Sequence, residues 1–208
     1  MSTVHTACNL TDVLSEEHGL ILRALESFER FAEQVRAGGK HDPRLGRQFL
    51  RLFREFADAE HHHKEEDILF PWLEEHGLPH EVGPLAILRE EHELGRDLRL
   101  ALSLTLDALL EDPREVETRL RFHALARRFV ELLRAHIEKE EEVLLPLARR
   151  FAQQLGETPV VPEGARPELR RSIESLATLA ADWPRPCAAG HANLTPYAFE
   201  RLCEECLG

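Results

Sequence analysis

The chain predicts an all-α fold: an antiparallel four-helix bundle followed by a C-terminal helical tail and a small zinc-binding segment. Three observations carry this reading. Apolar residues recur at spacings of three and four through four long stretches, no period-two apolar run occurs between them, and short connections rich in cap and turn residues separate them. Long amphipathic helices joined by short turns bury their apolar stripes by packing side by side with antiparallel neighbours.

The first helix runs from Thr11 to about Ala37, with Leu14, Ile21, Leu22, Leu25, Phe28 and Ala32 on one stripe and Gly38 and Gly39 ending it. His18 falls on that stripe. Asp42 as N-cap and Pro43 at the first helical position open the second helix, where Leu50, Ala57, His61, Glu65, Ile68 and Trp72 share a face. Pro71 is expected to interrupt this helix and Gly77 to stop it. The third begins near Pro84 and aligns Leu85, Leu88, His92, Gly95, Leu102 and Leu106, with Gly95 open to a close neighbour. Asp112 and Pro113 repeat the cap-plus-proline signal for a fourth helix carrying Phe122, Leu125, Phe129, Leu132, His136, Glu140, Val143 and Leu147, closed by Gly156. Bundle residues are therefore 10–155. Thr158, Pro159, Pro162, Gly164 and Pro167 make 156–167 a linker, and 168–208 form a tail in which Leu169, Ile173, Leu176, Ala180 and Trp183 predict a fifth helix docked on the bundle.

Two phrases each occur twice, in alternation. Leu14 to Leu20 and Leu88 to Leu94 both read L-x-E-E-H-x-L, while His61, Lys64, Glu65, Glu66, Leu69 and Pro71 are matched in order and spacing by His136, Lys139, Glu140, Glu141, Leu144 and Pro146. His18 and His61 are 43 residues apart and His92 and His136 are 44 apart, which marks a duplicated unit. Each unit supplies one lone His and one His followed by Glu at i+4, a spacing that puts both side chains on one helix edge. Four imidazoles and two carboxylates on faces otherwise lined by Leu, Ile, Phe and Val form a ligand set for two metal ions: His18, His61, Glu65, His92, His136 and Glu140. Burying such groups costs several kcal/mol each unless they are paired or coordinated. Mixed imidazole and carboxylate ligation suits iron or manganese better than structural zinc.

His62 and Glu66 are also an i, i+4 pair, but the register between the two phrases selects His61 and Glu65 and leaves His62 outside the ligand set. His63, His76 and His80 read as surface residues, and His123 lies on another face from His136. Lys64 and Lys139 read as balancing the acidic runs 65–67 and 140–142, themselves read as solvated faces. The bundle has no tyrosine, since the only one is Tyr197, which excludes a stored tyrosyl radical.

A formal charge of −12 and a pI near 5.5 argue against nucleic acid, whose phosphates require clustered Lys and Arg. Met1 to Leu10 contain no basic or apolar run of a secretory signal, and no stretch approaches the roughly 18–20 apolar residues of a membrane span. With four cysteines and no export signal, thiols or metal ligands are favoured over disulfides. The expectation is a cytoplasmic protein with no membrane contact.

Four signatures in order carry a family resemblance. Phe56, Ala57 and Asp58 through His61, His62, Lys64, Glu65, Glu66 and Asp67 to Leu69, Phe70 and Pro71 resemble the second helix of hemerythrin-like HHE cation-binding domains. Gly83 and Pro84 through Glu91, His92, Glu93, Gly95 and Arg96 are similar to the third, and His136 to Pro146 to the fourth. The likeness covers roughly residues 10–155. It implies two non-haem iron ions bridged by carboxylate and by oxo or hydroxo groups, held by the six residues above. Oxygen-carrying hemerythrins place a pair of His on the third helix, whereas the residues four before and four after His92 are Leu88 and Arg96. The set is more similar to the bacterial and iron-sensing branches with four His and two Glu. What the resemblance implies is capture of a small ligand, O2, NO or peroxide, for sensing, scavenging or protection of iron centres. The alternatives are a peroxide-decomposing or ferrous-iron-oxidising di-iron enzyme, or an iron-stabilised interaction module.

The tail reads Cys187-x3-His191-x11-Cys203-x2-Cys206. Three thiolates and an imidazole in two short pairs are a tetrahedral zinc set, with Thr195 and Pro196 starting a short helix that carries the second pair. Free thiols, or a redox or iron–sulfur role, are the alternatives. Cys8 is isolated, and the sequence names no protein partner for the tail.

Overall fold

Asn9 caps the first helix by accepting the Thr11 backbone N–H at 3.0 Å, and α1 (Leu10–Ala37) ends at Gly38, whose φ of 68° is the left-handed conformation that glycine adopts without strain. The computed structural model describes residues 8–38, 42–161, 166–181 and 183. Within them, Asp42 accepts the Arg44 N–H and starts α2 (residues 43–75), Gly83 and Pro84 open α3 (Pro84–Glu111), α4 covers residues 116–155, and α5 is Pro167–Ala180. The described residues thus form a mainly α-helical bundle of long helices with a shorter fifth helix. The cysteines and histidine of the expected zinc segment, Cys187, His191, Cys203 and Cys206, lie outside the described residues.

Two boundaries differ from the sequence expectation. Asp112 does not cap α4. It ends α3 and turns the chain, accepting the Arg114 N–H at 3.0 Å, and the cap is Glu115, whose carboxylate takes the N–H groups of Glu117 and Thr118. Pro71 does not interrupt α2, which continues through Glu75. The reason is local geometry: Phe53–His62 and Glu65–Leu69 are wound as π-helix, and the Phe70 N–H donates to the Glu65 carbonyl five residues back. A widened turn just before the proline relieves the ring's clash with the preceding carbonyls. The same device recurs in α4, where Glu140–Leu144 form a π-turn, the Leu145 N–H donates to the Glu140 carbonyl, and Pro146 follows. Both widened turns begin at a glutamate of the candidate ligand set.

The interior has two apolar clusters. One is aromatic, with Phe28 within 6.4 Å (ring centroids) of each of Phe31, Phe49, Phe53, Phe122 and Phe129. The other is mainly aliphatic, built from Leu10, Leu14, Leu69, Phe70, Leu85, Leu88, Leu144 and Leu145. Along every long helix the polar ligand candidates separate the two: residue 18 divides 10–14 from 20–35 on α1, and residue 92 divides 85–88 from 98–109 on α3. Salt bridges from α2 to α3 step in opposite senses, Arg47 to Asp107, Asp58 to Arg96 and Glu66 to Arg96. As the sequence predicts, α5 buries Leu169, Ile173, Leu176 and Ala180, the first three within the aromatic cluster, and Trp183 lies 5.9 Å from the Phe31 ring. A two-residue antiparallel β pair, β1 (Cys8–Asn9) with β2 (Val160–Val161), ties the start of α1 to the segment after α4. No alternation in the sequence marks so short a pair.

Candidate metal centre

All six predicted ligands converge between the two apolar clusters, and none is more than 1 % exposed. The Nε2 atoms of His18 and His61 face Glu65 Oε1 at 3.7 and 3.1 Å, while His92 Nε2 faces Glu65 Oε2 at 3.3 Å. Glu140 is arranged in the same way. Its Oε2 lies 3.1 Å from His18 Nε2 and its Oε1 3.3 Å from His136 Nε2. Each carboxylate therefore directs one oxygen to the His18 side and the other to the His92 and His136 side, where the two Nε2 atoms are 3.0 Å apart.

The outward nitrogen of each ring is equally defined. Nδ1 of His18 donates to Glu141 at 2.6 Å, of His61 to Glu17 at 3.1 Å, of His92 to Glu66 at 2.6 Å and of His136 to Glu91 at 3.0 Å. A proton held at Nδ1 leaves the lone pair on Nε2, which fixes each ring as an inward-facing donor. Lys64 completes the Glu17 contact at 2.8 Å and Lys139 pairs with Glu91. The expectation that these lysines balance the neighbouring acidic runs is corrected here: they cross to the glutamates of the other repeated phrase. Nor are Glu66 and Glu141 a solvated face, because both are half-buried against imidazoles. These six outer residues occupy matching positions of the repeats, so the repeat itself was the signal that could have identified them.

Charge within the cluster follows from proximity rather than burial. Burial opposes ionisation of Glu65, yet His61, His18 and His92 hold it well below the carboxylate range. Burial and the Glu65 charge raise Glu140, but His136 and His18 outweigh them and bring it to about 2. Burial likewise disfavours the imidazolium of His136, but Glu140, Glu91 and Glu65 push it up to about 10, and Glu140, Glu141 and Glu65 do the same in direction for His18. The carboxylates are thus anionic, and imidazolium protons compensate them where a divalent cation would. Hydrogen bonding leaves the set incomplete: Nε2 of His18 and His61 and both oxygens of Glu65 and Glu140 are buried in ion-pair contact without an aligned hydrogen bond. Orphaned polar atoms of this number cost several kcal/mol. Metal coordination satisfies all of them, so the residues fit a metal centre. Two four-residue groups have ligand atoms within 4.8 Å of one another, His18, His61, Glu65 and Glu140, and His62, Glu65, His92 and His136.

A family model, the hemerythrin HHE cation-binding domain, matches residues 9–148, more than half of the chain. The chain belongs to the hemerythrin HHE cation-binding family. No curated protein and no solved structure gives a significant match. Metal binding at the His and Glu cluster is the property that this hemerythrin-type assignment supports, and the match includes every residue of the cluster.

Among the described residues, four further histidines make their contacts away from the cluster. His63 is exposed beside Asp67, His76 bonds the Trp72 carbonyl, His80 pairs with Glu74, and His123 pairs with Glu33 at 3.1 Å. His62 does not behave as a residue turned away from the site. It is 5 % exposed, its ring stacks on His92 at 3.8 Å, and its Nδ1 has no hydrogen-bond partner. His61 and His62 lie in the π-helical segment Phe53–His62, but burial of both does not require that winding, since the matching pair His136 and Ile137 is buried on an ordinary α-helix. Among the described residues, no helix is long and apolar enough to cross a membrane.

Proposed function

We propose that this hemerythrin-type domain holds two iron ions between its repeats, within an antiparallel arrangement of the four long helices, and uses them to capture a small diatomic or peroxide for sensing, scavenging or protection of iron centres. The carrying observation is the split of each glutamate, with one oxygen toward each histidine pair. That disposition suits bridging of two ions about 3.5–4 Å apart, and the absence of thiolate from the set favours iron over structural zinc. His18, His61, Glu65 and Glu140 would hold one ion, and His92 and His136 with the second oxygens of the two glutamates the other.

Access supports a small ligand. The cavity bordering His62 measures about 10 Å³ and is walled by Phe53, Ala57, Gly95, Phe129 and Leu133, with Asp58, Arg96 and Arg99 also lining it. Such a space holds about one water-sized molecule. Bound ferrous ions would supply reducing electrons and open coordination positions to a molecule of that size. The chain's own residues do the rest. Four carboxylates keep protons on the outward Nδ1 atoms, Glu65 and Glu140 remain deprotonated, and the aromatic and aliphatic clusters on either side exclude bulk water. Glu66 accepts from both His92 and Arg96, which couples one inward imidazole to the mouth of the cavity.

The test is anaerobic reduction of iron-loaded protein followed by exposure to O2, NO or hydrogen peroxide, monitored by optical and Mössbauer spectroscopy. A two-iron protein that responds to at least one of them is expected. Protein that binds fewer than two ions per chain, or whose iron is indifferent to all three, refutes the reading.

A further inference from the structure

The two halves of the centre share their histidines, glutamates and lysines. His18 corresponds to His92, Glu17 to Glu91, His61 to His136, Lys64 to Lys139, Glu65 to Glu140 and Glu66 to Glu141, and the Nδ1–carboxylate and lysine contacts of one half have counterparts in the other. One step beyond His61 and His136 the correspondence breaks, with His62 in the first repeat and Ile137 in the second. Both are buried. An isoleucine there belongs to the aromatic core cluster. A histidine in the equivalent place is costly unless something uses it, because an imidazole nitrogen without a partner loses its hydration.

His62 is placed for such a use. Its ring is stacked on His92 at an interplanar angle of 13°, its centroid is 5.7 Å from that of His136, and a donor atom of each of these residues and of Glu65 lies within 4.8 Å of one of its own nitrogens. The other four imidazoles each engage a carboxylate through Nδ1, whereas the Nδ1 of His62 is unpartnered. We propose that His62 is a fifth imidazole ligand, so that the centre is asymmetric: three imidazoles, His62, His92 and His136, serve one ion, and two, His18 and His61, serve the other. This rests on the two-ion reading of the centre. It also places His62 at the inner wall of the small cavity, so that the three-imidazole ion is the one nearest the entry space.

Full-length protein loaded anaerobically with ⁵⁷Fe tests the assignment through Mössbauer spectra and iron counts of the wild type, His62→Ile and His62→Gln. His62→Ile reproduces the residue that the second repeat already buries at the equivalent place, and His62→Gln retains polarity should the first variant pack poorly. Two doublets of equal area with distinct parameters are expected in the wild type. In both variants one doublet should move or disappear while the other is retained, and loss should not exceed one iron per chain. If both variants keep two ions with the wild-type spectrum, His62 is not a ligand and the inference falls while the two-iron reading stands. A wild type that never binds two ions overturns both.

Discussion

Glu17 offers the sharpest test of how the centre is built, because its neighbour in sequence is a matched control. Its carboxylate is 1 % exposed and accepts from His61 Nδ1 at 3.1 Å and Lys64 Nζ at 2.8 Å, and these partners, against the cost of burial, hold it below the usual carboxylate range. Glu16, the other acid of the same phrase, is 61 % exposed at its side chain and pairs with Arg170. Glu17→Gln keeps the shape but removes the charge that fixes the Nδ1 proton of His61. Loss of a charge-assisted hydrogen bond is worth about 1.5–3 kcal/mol, and partners of metal-bound histidine typically change affinity 10–100-fold, which is about 1.4–2.8 kcal/mol. The two routes agree. Metal affinity measured by competition with a chelator, using Fe(II) or Co(II), should fall 10–100-fold in Glu17→Gln, stay within about twofold in Glu16→Gln, and fall in Glu91→Gln as in Glu17→Gln. Equal affinities in Glu16→Gln and Glu17→Gln would refute the argument, because the orientation of His61 would then owe nothing to the buried carboxylate.

Three further outcomes are expected. The Glu65→Ala, Glu140→Ala double variant should lose the coupled two-iron species, and an unchanged two-iron spectrum would contradict the bridging role. In metal-free protein, the raised pKa of His136 contributes stability that is fully present below 6.5 and lost as pH rises toward about 10, while the depressed Glu140 contributes stability present above 4.5 and lost as pH falls toward about 2. Its thermal midpoint should therefore be highest between the two ordinary values and decline on both sides; a midpoint still rising through the alkaline range would refute the assignment. For the tail, a chain ended after Trp183, which keeps α5 in the core, should retain iron and lose one zinc per chain. Zinc retained by that variant, or absent from the intact protein, would rule out coordination by Cys187, His191, Cys203 and Cys206.

The helices were legible because each carries its instructions locally: apolar spacing, Asp42 and Pro84 at starts, Gly38 and Gly156 at ends. The six inward ligand candidates were legible for a different reason, since duplication turns a chance histidine on an apolar stripe into a pattern. What escaped the sequence depends on departures from ideal helix geometry. A rule of 100° per residue places His61 inward and His62 aside, and it fails because the buried arc of the helix takes in the next position as well, as it does at His136 and Ile137. The same rule reads Pro71 as a break, although a widened turn at Glu65 absorbs it. Charged residues were misread through composition: runs such as 65–67 and 140–142 look solvated until the opposite repeat brings His92 to Glu66 and His18 to Glu141. These contacts are long-range in sequence yet were foreshadowed by the repeat, because positions kept in both copies, Glu17 with Glu91 and Lys64 with Lys139, are those that a two-fold centre needs twice. By the same logic a buried position beside the histidines at which the copies disagree, His62 against Ile137, is where the two proposed metal positions should differ. On the two-iron proposal, duplication gives the shared ligand set, and the exchange of His62 for Ile137 would give the two ions different neighbours.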